Sequence, residues 1–557
     1  MAHDLKNDKI HNEVTRRKTF AIISHPDAGK TTMTEKLLLY GGAIRLAGSV
    51  KSRKAQKHAV SDWMEIEKQR GISVTSSVLQ FEYNDFSINI LDTPGHQDFS
   101  EDTYRTLVAA DSAVMLIDGA KGVETQTIKL FHVCSMRKIP IFTFVNKMDR
   151  ASKDPFELME ELENVLGIRS FPMNWPIGID GDFKGVYNRI LNQIELFEGG
   201  NHGQTLVTSK TGGVDDPIFK ELLGDYHYNR LCSEIELLDM AGDEFDKEKV
   251  MRGELTPLFF GSAMTNFGVE PFLNEFLKMA PSPSVRDSSE GEVDPDSKLF
   301  SGFVFKIQAN MNPTHRDRMA FVRVCSGKFE KGMSVWHVQA GKEIRLSLPQ
   351  QLMAQERNII EEAYAGDIIG LFDPGIFNLG DTLSEKNKNL KYEGIPLFPA
   401  EFFARVAATD TMKRKQFMKG ITQLSEEGAI QVFQQTSYAS DTLIIGAVGV
   451  LQFEVLEYRL KGEYGVDVRL TQIASKHARW VLNPEEFPDL KKLSLTSSTI
   501  IAEDKIGRPV LIFENEWSVT WAQEKNKNLQ LVDILGAAER ITQPAKILYH
   551  SLCQKSI

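Results

Sequence analysis

Cysteine is scarce in this chain, with four in 557 residues: Cys134, Cys232, Cys325 and Cys553. They are scattered and form no C-x-x-C pair, which excludes the usual spacing of a structural zinc site and a disulfide scaffold. We assign them no chemistry. Long apolar runs are also lacking. The most hydrophobic stretches are broken by charges such as Asp111, well short of the ~18 residues that a membrane helix needs, so no membrane partner is expected. The opening stretch MAHDLKNDKIHNEVTRRK is polar throughout and has none of the apolar core of a secretory signal. A reducing, cytoplasmic setting is the expectation. Positive charge is in deficit, 65 Lys and Arg against 76 Asp and Glu, for a net charge of -11. That balance argues against a protein that coats nucleic acid over its whole surface, while local basic patches can still touch RNA. The run VKSRKAQKH at 50–58 reads either as such a patch or as a solvated loop, since charge runs are commonly just exposed.

What is present fits a folded protein of several cores. Hydrophobic residues make up 42% and charged residues 25%, and the length suggests roughly three or four domains. After a polar extension at 1–17, KTFAIISH reads as a strand, SHPDAGKTT as a loop and TTMTEKLLLYGG as a helix ending at glycines. Strands recur in FSINILDTPGH, DSAVMLIDGAKG and IPIFTFVNKMDR, each running into polar residues. Strands alternating with helices predict a mainly parallel sheet, with ligands gathered beyond the strands' carboxyl ends. This first domain is expected over 18–280, with an inserted subdomain at about 155–250. A Pro/Ser/acidic linker, MAPSPSVRDSSEGEVDPDS, leads to short alternating strands at 298–390 that predict a β-barrel. The order β-α-β-β-α-β at 400–475 predicts a split βαβ, ferredoxin-like domain. Residues 476–557 partly continue it. The fold class expected is therefore an α/β P-loop domain, then a β-barrel, then an α+β domain.

The chemistry begins at SHPDAGKTT, residues Ser24, His25, Pro26, Asp27, Ala28, Gly29, Lys30, Thr31 and Thr32. A phosphate cradle needs backbone N–H groups pointing inward at a helix start, a glycine that lets the chain pass close, and a lysine reaching the β- and γ-phosphates. Gly29 and Lys30 supply the last two, and Thr31 offers a hydroxyl to Mg²⁺. Ser24 stands where the strict pattern has glycine; a small residue is tolerated there if its dihedrals stay ordinary. The motif alone is short, and its partners decide. In DTPGH, Asp92 lies just past a strand, where a carboxylate orients a water or binds Mg²⁺. Thr93 and Pro94 follow it, and Gly95 can offer its N–H to a γ-phosphate. His96 comes next. A lone loop histidine is usually just solvated, but beside a γ-phosphate it suits the placing of an attacking water, so His96 is the candidate catalytic residue.

NKMD, residues Asn146, Lys147, Met148 and Asp149, selects the base. A carboxylate accepts two parallel hydrogen bonds that guanine's N1–H and amino group donate and adenine does not. Asn146 can meet the O6/N7 edge, and the Lys147 stem can cover the ring. Such a site should reject adenine by about 10⁴ or more. In GSAM, Ser262 and the Ala263 N–H are expected to approach the guanine from the other side; without NKMD that tetrapeptide would read as a plain turn. GTP and GDP with Mg²⁺ are the expected ligands.

The order SHPDAGKTT, RGISV, DTPGH, NKMD, GSA resembles the translational GTPases. DWMEIEKQRGISV at 62–74 is similar to their first switch, with Ser73 where members usually carry threonine; the resemblance implies that its hydroxyl joins Thr31 and Asp92 at Mg²⁺. Asp27 matches a loop aspartate that helps hold a monovalent cation in relatives. VSDWMEIEKQRGIS, FVFKIQANMNPTHRDRMAFVRVCSGKFEKGM and GAVGVLQFEVLEYRLKGEYGV resemble the bacterial class II peptide chain release factors, over residues 18 to about 475 and on to about 525. Elongation factor G shares the first three domains, but it needs two more than the residues after 475 are expected to form. The resemblance implies a ribosome-stimulated GTPase that promotes the departure of class I release factors after peptide release. It is expected to act as a monomer whose partners are ribosomal RNA and proteins near the factor-binding site. A ribosome-protection or stress GTPase, and a GTP-gated binding protein with incidental hydrolysis, remain the alternatives.

Overall fold

A computed structural model describes residues 2–44, 67, 74–178, 181–199, 207–241, 244–310, 318–346, 349–353, 356–395, 399–435 and 443–533. Ser73, the basic run 50–58 and the last residues of the chain lie outside this set.

The first domain is built on strands whose every residue is buried, such as Arg17–Ser24 and Ser112–Asp118, as expected where helices cover both faces of a sheet. The strand order is Ser77–Tyr83, Phe86–Asp92, Arg17–Ser24, Ser112–Asp118, Ile141–Asn146, Leu255–Phe260 and Arg169–Pro172. All pairs are parallel except the first, a hairpin of antiparallel strands. Alternation along Arg17–Ser24 sends Phe20 and Ile22 to one face, with Met33 and Leu37 of helix Lys30–Tyr40 and Phe272 and Phe276 of helix Val269–Met279. Ala21 and Ile23 go to the other face, with Leu107, Leu130 and Leu158 from helices Ser100–Val108, Thr125–Met136 and Pro155–Leu166. The period-2 strand pattern thus feeds two helical layers.

The insertion is shorter than the expected 155–250. Helix Pro155–Leu166, capped by Asp154 and ended by left-handed Gly167, leads into Arg169–Pro172, which pairs with Leu255–Phe260 in the main sheet. Only then does the chain leave it, for a four-stranded antiparallel sheet over Asn174–Ile177, Gly185–Asn188, Gln193–Gly199 and Val207–Gly213 and the kinked helix Pro217–Ala241.

Strands from Ser301–Ala309 to Thr382–Ser384 form the barrel, whose core holds Phe300, Val304, Val322, Val335, Ile369 and Leu383. A bridge between Met353 and Leu79 joins its hydrogen-bond ladder to the first sheet. In the third domain, the strands Val468–Ile473, Phe402–Ala408, Leu443–Ala447 and Gln431–Gln435 lie side by side, the order a split βαβ requires. The C-terminal region extends this same sheet through Ile500–Asp504, Pro509–Phe513, His477–Val481 and Leu531–Val532. Among the described residues no helix is long and apolar enough to cross a membrane.

Candidate functional site

Four loops meet at the carboxyl edge of the parallel sheet, and each is anchored by the strand before it. The first runs from Ser24 into the helix that starts at Lys30. Its left-handed residues are Asp27, at φ 67°, and Gly29, at φ 100°. Ser24 is not among the residues of positive φ, so serine is conformationally acceptable where the pattern has glycine. Gly29 caps the helix without a side-chain hydrogen bond, so the first-turn N–H groups remain available to an anion, with the helix dipole behind them. Thr31 and Thr32 are half-buried in that first turn.

Lys30 is 7% exposed. Its Nζ donates to the Thr93 carbonyl and forms an ion pair with Asp92 Oδ1 at 3.0 Å. The phosphate-loop lysine therefore rests on the DTPGH segment. Thr93 fixes that segment by donating from Oγ1 to Ile22 O at 2.7 Å, and Thr103 Oγ1 donates to Pro94 O at 3.1 Å. Gly95 lies against Pro26 and the Ser24 carbonyl, joining the two loops. His96 is 30% exposed at its side chain, and its Nδ1 accepts from the Asp98 N–H at 3.2 Å. The same Nδ1 lies 3.5 Å from Asp98 Oδ1. His25, the other loop histidine, has Nε2 3.4 Å from Glu124 Oε1.

The NKMD loop is tied to its neighbours through Asn146. Asn146 Nδ2 donates to Ala28 O at 2.8 Å, and its Oδ1 accepts from Lys147 N at 2.8 Å and Ala263 N at 2.9 Å. These three bonds form a strap that ties the phosphate loop to both base loops. The physical reason is placement: Asn146 ends a central strand, where three backbone groups surround its amide. Lys147, in the left-handed region at φ 70°, stretches its Nζ to Asp27 O at 2.5 Å and Asp118 Oδ2 at 2.6 Å. Met148 is fully buried and anchors the loop. Ser262 Oγ donates to Asp149 Oδ1 at 2.6 Å, orienting the carboxylate from the side. Asp118 was not singled out from the sequence, because DSAVMLIDGAKG ends like any strand running into a turn. Burial pushes its carboxyl up, but the Lys147 ammonium and the Ala120 N–H outweigh that and hold it below the ordinary aspartate value. Glu67 was missed as well; its Oε1 accepts from Val74 N at 2.9 Å and Thr75 N at 3.1 Å.

The residues fit a nucleotide with its metal. Ser24 Oγ and His25 Nδ1 are buried without a hydrogen bond among the described residues, and the Lys30–Asp92 pair, a free helix start and a serine-held carboxylate converge beside them. A loop of this kind on a doubly covered parallel sheet, followed by a barrel and a split βαβ domain, defines a translational GTPase, and comparison with known proteins agrees. Residues 15–282 match the family model for the elongation factor Tu GTP binding domain, 299–386 match elongation factor G domain 2, and 392–523 match the class II release factor RF3 C-terminal domain. A peptide chain release factor 3 from Symbiobacterium thermophilum is 60% identical over 94% of this chain and 98% of its own length. One from Listeria innocua is 54% identical over 94% and 99%. The chain belongs to the peptide chain release factor 3 family. It is a GTPase of translation termination, with GTP and GDP as its nucleotides. A crystal structure of a Thermus thermophilus protein shares the fold, with TM-score 0.67 and 22% identity, over 88% of this chain and 72% of that one.

Proposed function

We propose that this protein promotes the dissociation of class I release factors from the ribosome once the peptide has been freed, and that it works in the cytoplasm as a monomer. The observation that carries this reading is the third domain: its match to the class II release factor C-terminal model over 392–523 separates the chain from other translational GTPases that share its nucleotide domain and barrel. The guanine ring is selected by the Asp149 carboxylate, held by Ser262, with the Lys147 stem over its face. The phosphates sit on the free N–H groups of the loop and of the helix start at Gly29 to Thr32, with Lys30 turned toward them from Asp92 and Thr93. Thr31, Asp92 and Ser73 would hold Mg²⁺, which supplies charge neutralisation at the phosphates when bound.

His96 places the attacking water. Its ring is fixed through Nδ1 and presents Nε2, and ribosomal RNA completes the alignment, so hydrolysis is slow alone and fast on the ribosome. The test uses termination complexes carrying a labelled class I factor. The purified protein with GTP should accelerate that factor's departure, and His96→Ala should lose ribosome-stimulated turnover by a factor of about 10² or more. An effect on elongation or on antibiotic rescue in place of factor release would overturn the reading.

A further inference from the structure

The segment that carries His96 is seated on the third domain through a contact between residues far apart in the chain. Asp98 is 9% exposed. Its N–H donates to His96 Nδ1 at 3.2 Å, while its Oδ2 accepts from Leu451 N at 2.8 Å. Leu451 opens helix Leu451–Tyr464, whose own N-cap position, Val450, offers no side-chain hydrogen bond. A helix start without a cap has unsatisfied N–H groups and a positive end, and a carboxylate answers both. Asp98 is therefore the cap of a helix in another domain.

Gly449 makes the approach possible. A Cβ there would fall 2.2 Å from Asp98 Cγ, 2.3 Å from its Cβ and 2.5 Å from its Cα. Its φ is not in the positive range, so glycine is required by the close passage of Asp98 rather than by its own backbone conformation. The turn before the helix is itself pinned, because Gln452 Oε1 accepts from Val448 N at 2.6 Å and Gly449 N at 3.1 Å. Phe99 adds an apolar contact. It is buried with Val74, Val455 and Leu451, and its ring stands edge-on to His96 at 6.2 Å. Two neighbours of His96 thus grip its imidazole and rest on the third domain at the same time.

We propose that Asp98 is a positioning residue for His96 and that Gly449 is its seat, so that movement of the third domain on the ribosome reaches the imidazole through this contact. The proposal rests on the role given to His96 above. A displacement of about 1 Å at a reacting group can cost up to about 10² in rate. Gly449→Ala forces a shift of at least that order, and it adds one methyl outside the nucleotide loops.

The experiment measures single-turnover GTP hydrolysis at saturating ribosomes, with nucleotide affinity and the ribosome concentration dependence taken on the same preparations. Gly449→Ala and Asp98→Ala should lower the limiting rate by about tenfold to 10², with GTP and GDP affinity and the half-saturating ribosome concentration unchanged. Asp98→Asn, whose amide oxygen still accepts from the Leu451 N–H, should recover most of the rate. A limiting rate equal to wild type in Gly449→Ala, or an Asp98→Asn variant as slow as Asp98→Ala, overturns the seat. If Gly449→Ala does not fold, the two Asp98 variants decide, since neither creates a clash. With His96→Ala slow and the seat variants fast, only the seat is lost; with His96→Ala also fast, the role of His96 falls with it.

Discussion

Gly29 sits at φ 100° with the Asn146 amide 2.3 Å from where a Cβ would be. That amide has no other place to go, because it already joins Ala28 O, Lys147 N and Ala263 N. Gly29→Ala therefore meets a left-handed penalty of about 1–2 kcal/mol and breaks the strap between the phosphate and base loops. We expect GDP affinity measured by calorimetry to fall at least about tenfold, since 1.4 kcal/mol is a factor of ten. Ser24→Gly should leave it nearly unchanged. The motif pattern, read from residue types, marks both positions as glycine sites, and only backbone angles distinguish them. Asn146, Lys147, Asp149 and Ser262 were legible as a cluster because their spacing follows strand ends. Asn146's strap was not, since a sequence shows that an amide is present but not which three backbone groups surround it. Glu67 and Asp118 were hidden for the same reason: each acts through a partner distant in the chain or in a turn of ordinary composition.

The elements show a similar division. The buried strands and the helix of TTMTEKLLLYGG, which ends at Gly41, were readable because burial on both sheet faces leaves few alternatives. The extent of the insertion was not, and the region past residue 475 was legible only as a partial continuation of the third domain, with no strand order, because strand pairing depends on contacts between segments far apart. Helix Thr125–Met136 gives a test at this scale. Gln126, Thr127, Leu130, Phe131 and Cys134 form its buried face, and burial pushes the Cys134 thiol up to about 12. Burial raises Cys325 as well, whereas Cys232 is only half-buried. The reactive species is the thiolate. Because the folded-state value of Cys134 lies above the ordinary ~8.5, the group stays protonated at pH 8 in the native protein and begins to ionise there only after unfolding. Alkylation at pH 8 followed by peptide mapping should label Cys232 and spare Cys134 and Cys325 until denaturant is added. Rapid labelling of Cys134 in the native protein would show that this helix face is not packed as described.

At the scale of the whole molecule, the first domain and the barrel are locked by charges buried between them. Arg323 and Asp111 are each 1% exposed at their side chains and 2.5 Å apart. Arg323 also donates to Gly366 O at 2.6 Å, in the same turn that accepts from Thr19 Oγ1 at 2.6 Å and whose neighbour Asp367 pairs with Arg17 at 2.6 Å. A buried pair is weak evidence for net stability, because desolvation offsets the attraction, but removing one partner strands the other charge at a cost of about 3–5 kcal/mol. Asp111→Ala should therefore lower the first urea transition by an amount in that range. Replacing both, Asp111→Leu with Arg323→Met, should recover most of the loss, since neither member of the pair is then left buried without the other. Nucleotide affinity should be unaffected in both variants. Asp111 precedes strand Ser112–Asp118 at its amino end, while the phosphate and base loops occupy the carboxyl edge, so the length of the strand separates the lock from the site. A fall in GTP affinity parallel to the fall in stability would instead mean that the barrel contact shapes the nucleotide loops, and that the two ends of the sheet do not act independently.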